Sequence, residues 1–275
     1  MLQAPAFHSD ARLVVLHVTV KNARGDLVTD LDRGAFSVYE NGHRQPVSIF
    51  RRDDIPVSVG LLIDNSGSMR SLRKSVEAAA LTFADASNPD DELFVIDFAD
   101  KPQLDVPFTS DRAALERGIS RVDAVGGTAM RDAVDHAERY LRERGARDRR
   151  ALLIVTDGND NESTVSLDQV IQAAQQRDVV IYAIGLLSHV GKPKGVREAL
   201  DRLAERTGGM AYYPETIDSI DAVALDVARQ IRNQYTLGYA PLNQAFDGSY
   251  RTIQVKVSGR ERLYPRTRTG YRAIP

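Results

Sequence analysis

The chain has 275 residues, of which 43% are apolar and 27% are charged, a length that accommodates two unequal domains at roughly 100 to 200 residues each. Its 36 basic and 38 acidic side chains leave a formal charge of -2, so no global field attracts nucleic acid or an anionic membrane. The sequence has no cysteine, which excludes disulfides, thiolate metal sites and cysteine nucleophiles.

The first fifty residues have the pattern of β structure. Residues 11–20 are apolar and β-branched, and turn formers follow them, which predicts a strand and a turn. Residues 36–40 and 43–50 flank the dipeptide Asn41-Gly42, which tolerates the positive φ angles of a type I′ turn. The second pattern therefore predicts a β-hairpin.

After Pro56 short apolar runs alternate with helical patterns. The apolar runs predict strands that are covered on both faces. They lie at residues 57–63, 93–98, 152–156 and 179–184. Helical spacing recurs between them at residues 72–83, 130–144 and 167–177. This alternation predicts a doubly wound, Rossmann-like α/β domain with a mostly parallel sheet flanked by helices.

The C-terminal part returns to β structure after a predicted helix near residues 217–232. Further strands are expected at residues 234–240, 250–257 and around 268–272. Each terminal β segment has too few strands to bury an apolar face alone, so we expect the two to pair into one small β domain. The predicted division places residues 1–54 and 232–275 in the small β domain and residues 55–231 in the α/β domain.

Polar side chains cluster where predicted strands end. Asp64, Ser66 and Ser68 follow the first α/β strand directly before a helix, at the edge where parallel sheets bind ligands. Thr128 follows two glycines and precedes the helix that starts at residue 130. Asp157 ends another strand and precedes a glycine. Ser and Asp before a helix also serve as caps, but capping does not explain why three separate segments converge.

These oxygen donors, without His or Cys, predict a site for a hard cation such as Mg²⁺, Mn²⁺ or Ca²⁺. Two carboxylates only balance a divalent charge, and hydroxyls are weak neutral donors. The ion would therefore retain an open position for one more anionic oxygen, such as an external carboxylate.

The pattern Asp64-x-Ser66-x-Ser68, with the later Thr128 and Asp157, resembles the metal-ion-dependent adhesion site (MIDAS) of von Willebrand factor A (VWA) domains, including those of integrins. The resemblance covers about residues 55–231. It implies that the two serines and the threonine coordinate the metal directly, that the aspartates bind directly or through water, and that a partner's Glu or Asp completes the shell. The resemblance therefore indicates a protein-protein interaction or adhesion module, and no enzyme.

Segments outside this region resemble a particular group of bacterial proteins. The patterns at residues 31–42, 235–239, 247–251 and 270–271 are similar to VWFA-related proteins of acidobacteria and similar soil bacteria. Those proteins are mostly exported, which implies an extracytoplasmic location, periplasmic or secreted, if a signal peptide has been removed, and otherwise a cytoplasmic one. No partner other than an acidic protein ligand is indicated, and no run of residues predicts membrane insertion.

Two alternatives remain open. An aspartyl phosphohydrolase also has a strand-end Asp, a later Thr and a late Asp-Gly segment, but it needs an acid two residues after the nucleophile and a lysine to neutralise phosphate. Position 66 is Ser, and no lysine occurs between Lys101 and Lys192. A structural subunit with a vestigial site is the second alternative, because a fold alone does not prove a function.

Overall fold

The structure, a computed structural model, describes residues 13–52, 54–119, 125–158, 160–187, 193–259 and 261–274. Strands in these ranges are β1 (Val14–Asn22), β2 (Phe36–Glu40), β3 (His43–Gln45), β4 (Val47–Arg51), β5 (Val57–Asp64), β6 (Glu92–Phe98), β7 (Pro102–Thr109), β8 (Arg149–Thr156), β9 (Val179–Gly185), β10 (Ala211–Tyr212), β11 (Tyr235–Tyr239), β12 (Tyr250–Val257), β13 (Leu263–Arg266) and β14 (Gly270–Arg272). Helices in these ranges are α1 (Arg73–Ala86), α2 (Arg112–Ile119), α3 (Met130–Arg144), α4 (Leu167–Gln176), α5 (Pro193–Thr207) and α6 (Ile220–Arg232).

The central sheet has six strands in the order β10-β9-β8-β5-β6-β7. All neighbours are parallel except β7, which runs antiparallel to β6 at one edge. β5 lies in the middle of the sheet and is buried at every residue. One apolar core packs α1, α2 and α6 on one face, and a second packs α3, α4 and α5 on the other. The predicted fold class is therefore confirmed: a mostly parallel sheet flanked by helices, joined to antiparallel sheets.

The antiparallel strands come from both ends of the chain and form two four-stranded sheets, β13-β1-β11-β4 and β14-β12-β2-β3. β1 pairs with β11 from Val14↔Tyr239 to Val18↔Tyr235, and β12 pairs with β2. Their inward side chains share one apolar core, so the two sheets form a sandwich. The domain boundaries at residues 54/55 and 231/232 stay a prediction.

The hairpin prediction was right about the turn and wrong about the second strand. Asn41 and Gly42 have φ angles of 48° and 80°, as a type I′ turn requires. Residues 43–50, expected as one strand, divide at Pro46 into β3, which pairs with β2, and β4, which pairs with β11 in the other sheet. Proline has no N–H to donate to a ladder, so the chain changes sheets there.

Two largely buried arginine side chains join the sandwich to the α/β part. Arg149, at the start of β8, donates to the carbonyl of Ile231 (2.5 Å) and to Gln234 Oε1 (2.8 Å). Arg268 donates to the carbonyls of Gln175 (2.7 Å) and Val15 (2.9 Å). These contacts hold the C-terminal strands against the central sheet. Among the described residues, no helix has the length and apolarity to cross a membrane.

Candidate metal centre

The candidate site lies at the carboxyl edge of the central sheet. Asp64 is the last residue of β5, and Asp157 directly follows β8. These strands are parallel neighbours, paired up to Ile63↔Val155, so their carboxyl ends bring the two aspartates to the same edge. Thr128 is contributed by the loop before α3.

Hydrogen bonds connect the side chains of the first and last segments. Ser66 N–H donates to Asp64 Oδ1 (2.9 Å), and the Oγ atoms of Ser66 and Ser68 are 3.1 Å apart. Ser68 Oγ donates to Asp157 Oδ1 at 2.8 Å. The Thr156 hydroxyl donates to Asp64 Oδ2 at 2.5 Å. Asp64, Ser66 and Ser68, which form the Asp64 loop, therefore lie in contact with one another and with Asp157.

Thr128 is placed against this group by Gly158. A Cβ atom built on Gly158 would lie 3.1 Å from Thr128 Oγ1 and 3.5 Å from Asp64 Oδ2. The glycine thus leaves a space that both oxygens border, and an added side chain would occupy it. Thr128 and Asp64 therefore border one space, and Asp64 is joined through Ser66 and Ser68 to Asp157.

One side of the site is open to solvent. Asp64, Ser66, Thr128 and Asp157 are buried, whereas Ser68 is exposed. Gly67 and Gly126, whose backbones are joined by a 3.2 Å hydrogen bond, are also exposed and form part of the rim. Val125 beside them is also exposed. An external group can therefore approach the oxygens from the Ser68 side.

The electrostatics of the site disfavour the ionisation of Asp64 beside Asp157. Burial raises the pKa of Asp64 to about 6, and the nearby charge of Asp157 acts in the same direction. The hydrogen bonds from Thr156 and Ser66 oppose that rise, because they stabilise the ionised form. A cation between the two carboxylates would offset both the burial of the Asp64 charge and its repulsion by Asp157.

Helix capping does not account for the serines. Ser66 precedes a 3-10 turn at residues 67–71, but its side chain makes no capping hydrogen bond, and none is made at the start of α1. Elsewhere in the chain Ser166 does cap α4, through a complete capping box. The contrast indicates that the hydroxyls of the Asp64 loop are directed at the site.

Several supporting residues were not singled out from sequence. The Thr156 hydroxyl holds Asp64, and the position of Thr156 just before Asp157 at a strand end was an available signal. Asn161 accepts a hydrogen bond from Thr128 N–H through Oδ1 (2.8 Å), and its own N–H donates to the Thr128 carbonyl (3.0 Å). Asp100 Oδ1 accepts a hydrogen bond from Gly127 N–H (2.6 Å), which holds the Gly126-Gly127 segment in place. These bonds cross between distant loops, so sequence spacing gives no indication of them.

Three further carboxylates near this edge of the sheet have other partners or places. Asp160 pairs with Arg131 and Ser163 and holds the start of α3. Asp97 is buried on β6 beside Asp105 of β7. The Glu162 side chain is exposed next to Gly127. The backbone N–H of Glu162 donates to the Thr128 carbonyl (3.2 Å), but none of the three carboxylates has a described hydrogen bond to the five predicted residues.

The donor set fits a hard divalent ion. It contains two carboxylates and three hydroxyls, the oxygen chemistry that suits Mg²⁺, Mn²⁺ or Ca²⁺ better than a softer metal. Within the described ranges no group of three or more His, Cys, Asp and Glu side chains could hold a metal. A hydroxyl-rich centre such as this one differs from such clusters because most of its donors are neutral.

Comparison with known proteins supports the class of protein that the sequence pattern indicated. Residues 59–159 match the family model of the von Willebrand factor type A domain. This segment contains all five predicted site residues. Residues 59–159 are therefore similar in sequence to VWA domains, and the fold is VWA-like. VWA domains generally act as metal-dependent protein-interaction modules.

Individual relatives are distant. A protein of Borreliella burgdorferi described as uncharacterized is 30% identical over 99 residues, which span 35% of this chain and 29% of that protein. A von Willebrand factor type A structure from Catenulispora acidiphila matches 98% of this chain and 75% of its own, with 14% identity and a TM-score of 0.56. Proximal thread matrix protein 1 of the mussel byssus, described with a zinc-occupied MIDAS motif, matches 70% of this chain and 49% of its own, with 18% identity and a TM-score of 0.56. The similarity to acidobacterial proteins stays a prediction.

Proposed function

We propose that this protein is a divalent-cation-dependent protein-protein interaction or adhesion module, which binds an acidic side chain of a partner through an ion held in a MIDAS. Its proposed ligands are Asp64, Ser66, Ser68, Thr128 and Asp157, and its proposed ion is Mg²⁺, with Mn²⁺ or Ca²⁺ as alternatives. The convergence of oxygens from three separate segments on one open-sided space is the observation that supports the proposal.

Each residue has a distinct part in the proposed mechanism. Asp64 and Asp157 supply the negative charge, and Thr156 orients the Asp64 carboxylate. The exposed position of Ser68 keeps one side accessible to the partner. When bound, the ion supplies positive charge that attracts a Glu or Asp oxygen. Because the site contributes only two negative charges, the partner's carboxylate adds the third.

We infer that the module is not an enzyme. Ser66 occupies the position where an aspartyl phosphohydrolase needs its second acid, and its hydroxyl is engaged with Ser68. The sequence has no lysine between Lys101 and Lys192 to neutralise a phosphate. Metal-dependent release of phosphate that is lost in Asp64→Asn would overturn this inference.

A metal titration followed by thermal unfolding tests the proposed site. Added Mg²⁺ or Mn²⁺ should raise the melting temperature of the wild type by mass action, because only the folded state assembles the five donors. Asp64→Ala should abolish the rise. The matched control is Asp90→Ala, since Asp90 is an exposed acid that precedes β6 at the opposite end of that strand from the site. Equal metal-induced stabilisation in the wild type and Asp64→Ala would contradict the proposal.

A pull-down tests the proposed binding. The wild-type protein should capture its partner from the native organism in Mg²⁺ or Mn²⁺ and lose it in EDTA. Asp64→Ala should capture nothing under either condition. A partner retained equally in EDTA would mean that another surface recognises it.

The remaining proposals concern organisation and compartment. We propose the domain division 1–54, 55–231 and 232–275, with the terminal parts forming one β unit. Deletion of residues 233–275 should then expose strand edges and cause aggregation, and a monomeric deletion variant with unchanged melting would contradict it. We also propose an extracytoplasmic location if a signal peptide has been removed, which cell fractionation would test.

A further inference from the structure

The C-terminal strands change sheets and leave part of β12 without a neighbour. β13 pairs with β1 in one sheet, whereas β14 pairs with β12 in the other. β14 covers β12 only from Tyr250 to Thr252. One further bond, from Ile253 N–H to the Thr269 carbonyl (2.8 Å), ends the pairing on this side.

The alternating direction of backbone groups along β12 shows which of them have no partner strand. In an antiparallel strand, successive residues direct their N–H and C=O groups to opposite sides. Ile253 N–H points toward the β14 side, so the N–H and C=O of Val255 point the same way. No described strand pairs with Val255 on that side, whereas Gln254 faces Tyr39 of β2 on the other. β12 therefore has a short open edge.

The open edge faces a groove of about 770 Å³. The groove lies between β12, β13 and the segment that leads from α5 into β10. Ile253, Val255 and Met210 are among its lining residues, and Ile253 and Val255 are also part of the sandwich core. The Thr267 hydroxyl, also in the lining, is buried and has no hydrogen-bond partner among the described residues. The groove thus combines apolar surface with unsatisfied polar groups, as peptide sites do.

Opposite charges line opposite walls. Asp201 and Glu205 of α5 form one wall, and Arg262 and Arg266 border the other. No ion pair joins these acids to these bases within the described ranges, and all four side chains are exposed. Arg262 lies over the ring of Tyr264, and Arg266 donates to the Gly209 carbonyl at 3.4 Å. Asp201 accepts a hydrogen bond from the Tyr213 hydroxyl at 2.8 Å. An occupant with both charges would complement the two walls.

We propose that this groove binds an extended peptide segment of a partner protein, which adds as a strand to the open edge of β12. The segment carries a basic residue toward Asp201 and Glu205 and an acidic residue toward Arg262 and Arg266. The lining contains none of the five metal-site residues, so this interaction is independent of the proposed cation-dependent function.

A proline pair tests whether the edge is free. Proline removes one N–H, which is tolerated on an open edge and costly inside a ladder. Val255 packs in the sandwich core, so each proline variant is compared with alanine at the same position, which truncates the side chain but keeps the N–H. Val255→Pro should lose little more stability in urea than Val255→Ala, whereas Gln254→Pro should lose clearly more than Gln254→Ala. A proline penalty at Val255 as large as that at Gln254 would show that the Val255 N–H is already bonded, and the proposal would fail.

Selection from a phage-displayed library of random linear peptides tests the ligand chemistry. The wild-type chain, in EDTA to silence any metal site, should enrich peptides that contain both a basic and an acidic residue among β-formers. Val255→Pro should bind those peptides about tenfold more weakly, as expected for the loss of one backbone hydrogen bond. Glu205→Lys should no longer select the basic residue. No enrichment, or enriched peptides that bind Val255→Pro and Glu205→Lys as well as the wild type, would overturn the inference.

Discussion

The Ser68 hydroxyl donates a 2.8 Å hydrogen bond to Asp157 Oδ1, although 89 positions separate the two residues in the chain. The bond closes the site across β5 and β8, whose carboxyl ends are adjacent. A serine hydroxyl has one O–H donor and two oxygen lone pairs, so Ser68 can coordinate an ion through its oxygen and still donate to Asp157.

Gly158→Ala should weaken metal binding by at least about tenfold, because its methyl group would lie 3.1 Å from Thr128 Oγ1 and 3.5 Å from Asp64 Oδ2. The metal-free protein should lose about 1 kcal/mol or less, since the methyl group enters an open-sided space. Isothermal titration with MgCl₂ measures the affinity. Gly34→Ala is the matched control, since nothing lies within 4 Å of a Cβ built there. An unchanged affinity in Gly158→Ala would mean that the ion does not use this space.

Metal affinity should fall as the pH drops through about 6, because protons compete for Asp64, whose pKa burial raises to about 6. Without metal, the raised pKa means that Asp64 contributes stability below its ordinary value of 3.8, and that this contribution is lost as the pH rises to about 6. Thermal melts with and without Mg²⁺ at pH 5 and pH 8 measure both effects. The metal-induced shift should be larger at pH 8, and Asp64→Asn should show little shift at either pH. A shift of equal size at the two pH values in the wild type would exclude Asp64 as a ligand.

Asp97→Asn should stabilise the protein at pH 8 and have little effect at pH 4. The Asp97 carboxylate is buried beside that of Asp105, and burial, together with the charge and the side-chain contact of Asp105, raises the pKa of Asp97 to about 8. The raised pKa makes wild-type stability fall between pH 3.8, the ordinary value, and about 8, whereas Asn carries no titrating proton. At about 1.4 kcal/mol per pKa unit, the rise from 3.8 to about 8 corresponds to a gain on the order of 5 kcal/mol at pH 8. Urea unfolding across this range measures it, with the exposed Asp90→Asn as control. Parallel pH profiles for the wild type and Asp97→Asn would show that Asp97 does not stay protonated.

Glu40→Ala should destabilise the sandwich by about 3–5 kcal/mol, because it leaves a buried guanidinium without its closest carboxylate. Glu40 Oε2 accepts hydrogen bonds from the hydroxyls of Tyr239 and Tyr271 (both 2.8 Å), and Arg251 Nη1 lies 3.3 Å from Oε1. Glu40 and Arg251 are 3% and 1% exposed, so water cannot replace the lost partner. Tyr239→Phe removes one of these bonds and should cost only about 1 kcal/mol in urea unfolding. Similar losses in the two variants would mean that Arg251 finds another partner.

The sequence alone determined the α/β pattern and the identity of the predicted site residues. Apolar runs covered on both faces, such as 57–63 and 179–184, differ so clearly from helical spacing that β5, β9 and α3 were predicted nearly to the residue. The Asp-x-Ser-x-Ser pattern was visible because its members are close together in the chain. The positive φ of Asn41 and Gly42 likewise follows from local chemistry, since these two residue types tolerate it.

Elements with weak or interrupted patterns were not predicted from sequence. β7 and β13 are partly exposed edge strands that contain proline, so they lack the continuous apolar run that marks a buried strand. The helices α2 and α5 were missed too. Pro46 could be recognised as an obstacle to pairing, but only the structure shows that the chain crosses there to the opposite sheet.

Only the tertiary structure decided which side chains meet. The bonds from Thr156 to Asp64 and from Thr128 to Asn161 join residues 92 and 33 positions apart. The open edge of β12 likewise depends on where β14 stops and β13 leaves for the other sheet. Sequence periodicity records which face of an element is buried, because burial is selected residue by residue. It carries no record of which loops meet at a sheet edge, since that depends on strand order and register across the whole chain.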